Sequence, residues 1–286
     1  MNESKRIKRF RNQIINEIPK FPNDRRTKEI LENMPLVTLF VYYLNWISRY
    51  VSIKPRKVII ESAVTNDQRW SLLKHQVEIV LEKARSGEDL TPYLSIQPHS
   101  RGYSPKTSIL ASTVDSWVDK DFLLNVMGFH HFHLGTKLES AGHIERTDDV
   151  LFARVNREKF TAIGIFDHSV FESIDNGMND ERKRLWEIFD EHTSQGVPEG
   201  SIFMSPPIAA SGHPLHLVKL AQEYYRVILE VDPKNEPEFL RELYRGLDLE
   251  TEVPSNLKLE WMLNFSDLGI YDKNHNNFFV LRKGLN

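Results

Sequence analysis

Three short segments between Gly128 and His168 interrupt any continuous helix through the middle of the chain and call for a sheet. They read GFHHFHLG over Gly128–Gly135, DVLFARV over Asp149–Val155 and FTAIGIFDH over Phe160–His168. Each is brief, rich in aromatic and β-branched residues, and bounded by Gly, Asn or Asp, which is the pattern of strands closed by turns. The sequence therefore places a small antiparallel sheet at the centre of an α+β chain.

Helices are expected on both sides of it. Before the sheet they cover residues 1–18, 27–34, 36–50, 67–85 and 108–127, with a short strand over 57–61. In the first, Ile7, Phe10, Ile14, Ile15 and Ile18 fall near helical spacing. The fourth opens on Asp67 as a cap and stops before Ser86 and Gly87. After the sheet, helices are expected over 182–192, 215–231 and 236–247. Two strands, 257–264 and 277–282, then close the chain around a polar turn. The stretch 194–214, rich in Gly, Pro and Ser, reads as a linker or active-site loop. Three consecutive regions result: a basic helical region 1–115, a His/Arg sheet region 116–195 and a helix-and-hairpin region 196–286.

The net charge of −3 conceals an asymmetry. Residues 1–60 hold 13 Lys and Arg against 5 Asp and Glu, a balance of +8 that leaves −11 for the rest. Lys5, Arg6, Lys8, Arg9 and Arg11 form the densest basic run, a candidate phosphate-facing surface for RNA or DNA, or equally a solvated basic helix face. The chain has no cysteine, which excludes disulfides, thiolate metal sites and cysteine nucleophiles, and fits a reducing cytosol. The most apolar run, Leu36 to Val51, is broken by Asn45 and Arg49, and no apolar signal segment follows the basic start. A cytoplasmic protein without membrane contact is expected.

The central segments also carry chemistry. Five of the eleven histidines, His130, His131, His133, His143 and His168, lie between Met127 and Phe171. Imidazole moves protons near neutral pH and is the commonest metal ligand. Side chains alternate along a strand, so His131 and His133 share one face while His130 and Phe132 take the other. Should His168 approach that first pair, with Arg146 or Arg154 beside it, the set suits cleavage of an RNA phosphodiester. One imidazole would take the 2′-hydroxyl proton, another would protonate the leaving oxygen, and a guanidinium would stabilise the phosphorane. No cofactor is needed for this. The same His131, His133 and His168 could instead hold a divalent metal in a hydrolase or oxygenase. A third reading is a non-enzymatic module for nucleic acid or protein. Two weaker motifs stand outside the window: Arg69 with His75, at the loose spacing of HEPN ribonucleases, and His213 with His216 at the entry to a helix.

The order of these features is similar to the sheet of RelE/ParE-type toxins: a His-x-His-Leu strand, an Arg-containing turn, a Leu-Phe-Ala-Arg-Val strand and an Ile-x-Ile-Phe-Asp-His strand. The resemblance covers residues 120–172 and is one of layout. It implies a small antiparallel sheet, preceded by helices, that acts on RNA as a toxin-like effector in toxin–antitoxin or phage-defence settings. It also implies an antitoxin or other regulatory protein as partner. Acid–base or phosphate-binding roles would fall on His131, His133, His168, Arg146 and Arg154. The chain is about three times the usual length of such toxins and lacks their lysine-rich helix beside the sheet.

Overall fold

All three central segments are strands in the computed structural model, which describes residues 3–95, 97–105, 123–172, 177–198, 200–201, 207–233, 237–246 and 254–285. They are β2 (Phe129–His133), β3 (Asp149–Val155) and β4 (Lys159–Asp167), paired antiparallel in the order β4-β3-β2. A fourth strand, β1 (Lys57–Ile60), lies parallel to β4, so the sheet is mixed and ordered β1-β4-β3-β2. An antiparallel sheet throughout is the sequence expectation, and β1 departs from it. Parallel neighbours need a long crossover, and the chain between β1 and β2 supplies one.

That crossover contains α4 (Ser62–Thr65) and α5 (Trp70–Ser86). Gly87 ends α5 at φ 78°, and a Cβ there would come within 2.4 Å of the Pro55 nitrogen, so only glycine fits. One sheet face packs Phe132, Leu151, Phe160 and Ile165 together with Val77, Val80 and Leu81 of α5. The other packs Phe129, Phe152 and Phe166 with Leu185 and Phe189 of α6 (Asp180–Ser194). Burying each of these aromatic rings contributes roughly 1.5–3 kcal/mol. Both faces of the sheet are therefore covered by packed side chains.

The described chain divides into two compact units. One spans residues 48–100 and 105–215 and holds this sheet. The other combines residues 1–47, 101–104 and 216–285, so material from both chain ends meets in one unit rather than in separate consecutive regions. It contains α1 (Lys5–Glu17), α2 (Arg25–Glu32), α3 (Leu36–Ile47), α7 (Leu215–Val231) and α8 (Pro237–Arg245). Its sheet has three antiparallel strands, β5 (Leu259–Asn264), β6 (Asp267–Asp272) and β7 (Asn277–Arg282). Around its core, Phe10 lies 5.9 Å from Phe40 and 6.4 Å from Trp261, ring to ring.

Strand β6 occupies the stretch that reads as a polar turn in the sequence. The chain reverses before it at Phe265 and Ser266, with Phe265 at φ 55°. Phenylalanine is not a turn former, so no composition signal marks the reversal. Tertiary hydrogen bonds hold it: the Tyr43 hydroxyl donates to the Phe265 carbonyl at 2.9 Å, and the Tyr224 hydroxyl donates to the Ser266 carbonyl. Most of the helix expected over 108–127 lies outside the described residues, of which 123–127 are helical. Among the described residues no helix is long and apolar enough to cross a membrane.

Candidate functional site

Strands β1, β2 and β4 run the same way, because β3 is antiparallel to both of its neighbours and β1 is parallel to β4. The carboxyl ends of β2 and β4 and the amino end of β3 therefore meet at one end of the sheet. His133 closes β2, Asp149 opens β3, Asp167 closes β4, and His168 starts the short 3-10 turn that follows. Asp149 and Asp167 are directly opposite in register.

The strand alternation expected for the histidines is present, and the distant ring joins them. His133 and His168 have ring centroids 5.4 Å apart, and His131 lies 6.0 Å from His133. Phe171 sits among them, 4.9 Å from His131 and 5.5 Å from His168. His133 is only 2% exposed, whereas His131 and His168 are half-buried. The outer two rings are partly exposed, although Nε2 of each is buried.

Beside the imidazoles lies a charge network that sequence reasoning did not find. Asp67, with a side chain 1% exposed, accepts from Arg69 at 2.9 and 3.0 Å and from Arg184 at 2.6 Å. Arg69 also pairs with Glu181 at 3.1 Å and lies 3.7 Å from Asp149 and 3.8 Å from Asp167. Both guanidiniums donate to the Ile165 carbonyl, and that of Arg184 lies 4.3 Å over the Phe166 ring. Burial would raise the Asp67 carboxyl, but the hydrogen bonds from Arg69 and Arg184 hold it below its ordinary range. For Asp149 burial wins. Together with Asp167, Asp67 and Asp148, it pushes that carboxyl up against the pull of Arg69. Four carboxylates thus face two guanidiniums. The one sequence hint was the Arg69/His75 motif, but Arg69 is tied into this network while His75 is exposed on α5.

The two arginines assigned to the site from sequence stand elsewhere. Arg146 is exposed on the segment leading into β3, with no hydrogen bond or ion pair to a described residue. Arg154 pairs across from Phe129 at the far end of β3, four residues from the Val150 that faces His133. At the strand rise this is about 13 Å away. Its guanidinium lies 3.4 Å from His192 Nε2, and His192 Nδ1 lies 3.3 Å from Glu61.

The remaining sequence candidates separate as well. His130 is buried on the opposite sheet face, 2.9 Å from the Ser48 carbonyl, and burial pulls its pKa down to about 4. The His143 ring lies 5.1 Å from that of His99, tilted to it, with the Tyr50 hydroxyl 3.3 Å from His99 Nδ1. His213 contacts Ser211 at 3.1 Å and His216 is exposed. On α1, Lys5, Lys8 and Arg9 are exposed, but Arg6 is paired with Asp232 and Arg11 with Glu3. Ion pairing therefore removes two of the five basic residues proposed to face RNA. Among the described residues no group of three or more His, Asp or Glu side chains is placed to hold a metal ion. No protein-family model, curated protein or solved structure matches the chain, so its functional reading rests on this geometry.

Proposed function

We propose that this chain cleaves RNA without a metal, as an endoribonuclease-type effector working through its sheet-end imidazoles. The observation that carries the reading is the meeting of three rings at one strand end, His133 lying 5.4 Å from His168 and 6.0 Å from His131. One of the two partly exposed rings, His131 or His168, takes the proton of the ribose 2′-hydroxyl, whose oxygen attacks phosphorus. The other gives a proton to the departing 5′-oxygen. His133 is a positioning residue between them. Arg146 and Arg154 take no part at this end and Arg69 is engaged by carboxylates, so stabilisation of the phosphorane falls to the imidazolium.

Further support comes from the antiparallel β2-β3-β4 set preceded by helices, the layout on which the RelE/ParE resemblance rests. The exposed Lys5, Lys8 and Arg9 give the RNA backbone a cationic face, and an antitoxin-like regulator is the protein partner that this reading implies. The test is cleavage of single-stranded RNA by the purified chain in excess EDTA. Activity should persist, and His168→Gln should lower it about 10²–10⁴-fold with an unchanged unfolding midpoint. Loss of cleavage in EDTA, or full activity in His168→Gln, would falsify the reading.

A further inference from the structure

The residue that the sequence placed in the imidazole centre, Arg154, belongs to a different constellation. Glu61 follows β1, Arg154 lies on β3, and His192 sits in the last turn of α6, so three separate elements deliver one side chain each. His192 is held on three sides. Its Nδ1 is 3.3 Å from Glu61, its Nε2 is 3.4 Å from Arg154 Nη1, and its ring is edge-on to Phe129 at 6.1 Å. The histidine and the glutamate are mostly covered, with side chains 14% and 23% exposed, while Arg154 is open to solvent.

We infer that Arg154 and His192 form an anion subsite for a phosphate group, separate from the His131/His133/His168 end. The guanidinium is a rigid fork of N–H donors matched to phosphate oxygens, and at this site it has no carboxylate of its own among its described contacts. The neighbouring imidazole offers Nε2 on the same side. Glu61 approaches the other nitrogen, so its negative charge stands behind the ring rather than beside the incoming anion. A bound phosphate then meets the Arg154 guanidinium beside the His192 ring, with Glu61 on the far side of that ring. By contrast, Arg69 and Arg184 are each bound to carboxylates and offer no comparable opening.

The subsite does not require the nuclease reading; if that reading holds, the subsite grips RNA backbone about 13 Å from the reacting end. The experiment is an NMR titration of the His192 ring with inorganic phosphate and, separately, with a short single-stranded RNA, in the full chain and in Arg154→Gln. Both ligands should move the His192 signals, and Arg154→Gln should weaken each about tenfold. For RNA, the variant should also lower the salt dependence of binding by about one unit of slope. Response to inorganic phosphate alone assigns the subsite to a small phosphate ligand, and response to RNA assigns it to nucleic acid. Silence of His192 toward both, or responses that Arg154→Gln leaves unchanged, overturns the proposal. Cleavage assays on the same samples report the nuclease reading independently, because Arg154 lies outside that centre. Dispersed amide signals identical away from residue 154 show that the variant is folded.

Discussion

Two buried carboxylates, one in each unit, are answered in different ways. Asp272, in the unit built from both chain ends, is fully buried and takes its partners from within 28 residues: the Lys258 and Asn274 amides at 3.2 and 3.1 Å, the His275 ring at 2.7 Å and the Tyr244 hydroxyl. It closes a turn and is satisfied there. Asp67, in the unit with the mixed sheet, is answered by Arg69 and by Arg184, the latter 117 residues away in sequence. Those arginines reach on to Glu181, Asp149 and Asp167, where negative charge is in excess. A carboxylate served by local amides stabilises a hairpin. One that joins a neighbouring guanidinium, Arg69, to a distant one, Arg184, shapes an electrostatic environment, and here that environment borders the imidazoles.

The sharpest way to break this contrast is Asp67→Ala. It takes from two part-buried guanidiniums the most buried carboxylate they share, leaving them Glu181, and should cost about 3 kcal/mol by denaturant unfolding. A loss below about 1 kcal/mol would reduce the network to the rank of surface ion pairs.

The next effect comes from His130, behind the sheet. Its folded pKa of about 4 lies below the ordinary value of 6.5, so the unfolded chain takes up its proton first as the medium is acidified. Stability is complete above about pH 6.5 and declines as the pH falls through about 4, by roughly 3 kcal/mol. His130→Gln should flatten that part of the pH profile. If the slope between pH 6.5 and 4 is unchanged in the variant, another group is responsible.

The smallest expected effect is Asp272→Asn. Burial alone would raise the Asp272 carboxyl, but the Tyr244, Lys258, His275 and Asn274 donors together hold it below its ordinary range. Its contribution is therefore present above the unfolded carboxylate pKa and is lost as pH falls through the lower folded one. Exchanging one carboxylate oxygen for an amide NH₂ sets a donor against donors and should cost about 1–3 kcal/mol in a thermal melt at neutral pH. No loss at neutral pH would show that the hairpin is held by its strands alone.

The strands around the histidines were legible because period-two apolar patterning and turn residues are local signals, and so was the shared face of His131 and His133. The approach of His168 was legible as a possibility only, since it depends on β4 ending at the level where β2 ends. Arg154 shows the limit. Its position on β3 puts it on the face expected, but four residues along the strand separate it from His133, and register decides which end it serves. His192 and Glu61 gave no signal, since each is an unremarkable polar residue beside its own helix or strand. Strand β6 was hidden because its turn uses Phe265 and is held by tyrosines far away in sequence.

The order of residues by itself determined the α+β class, most helix positions, the central strands and the alternation of the imidazoles, all of which follow from steric and hydrophobic preferences acting over a few residues. Only the folded chain decided which charges pair across a hundred residues, which strand lies beside which, and how far exposed each histidine remains. Those are differences between large desolvation and Coulomb terms, and both depend on neighbours that local sequence does not name.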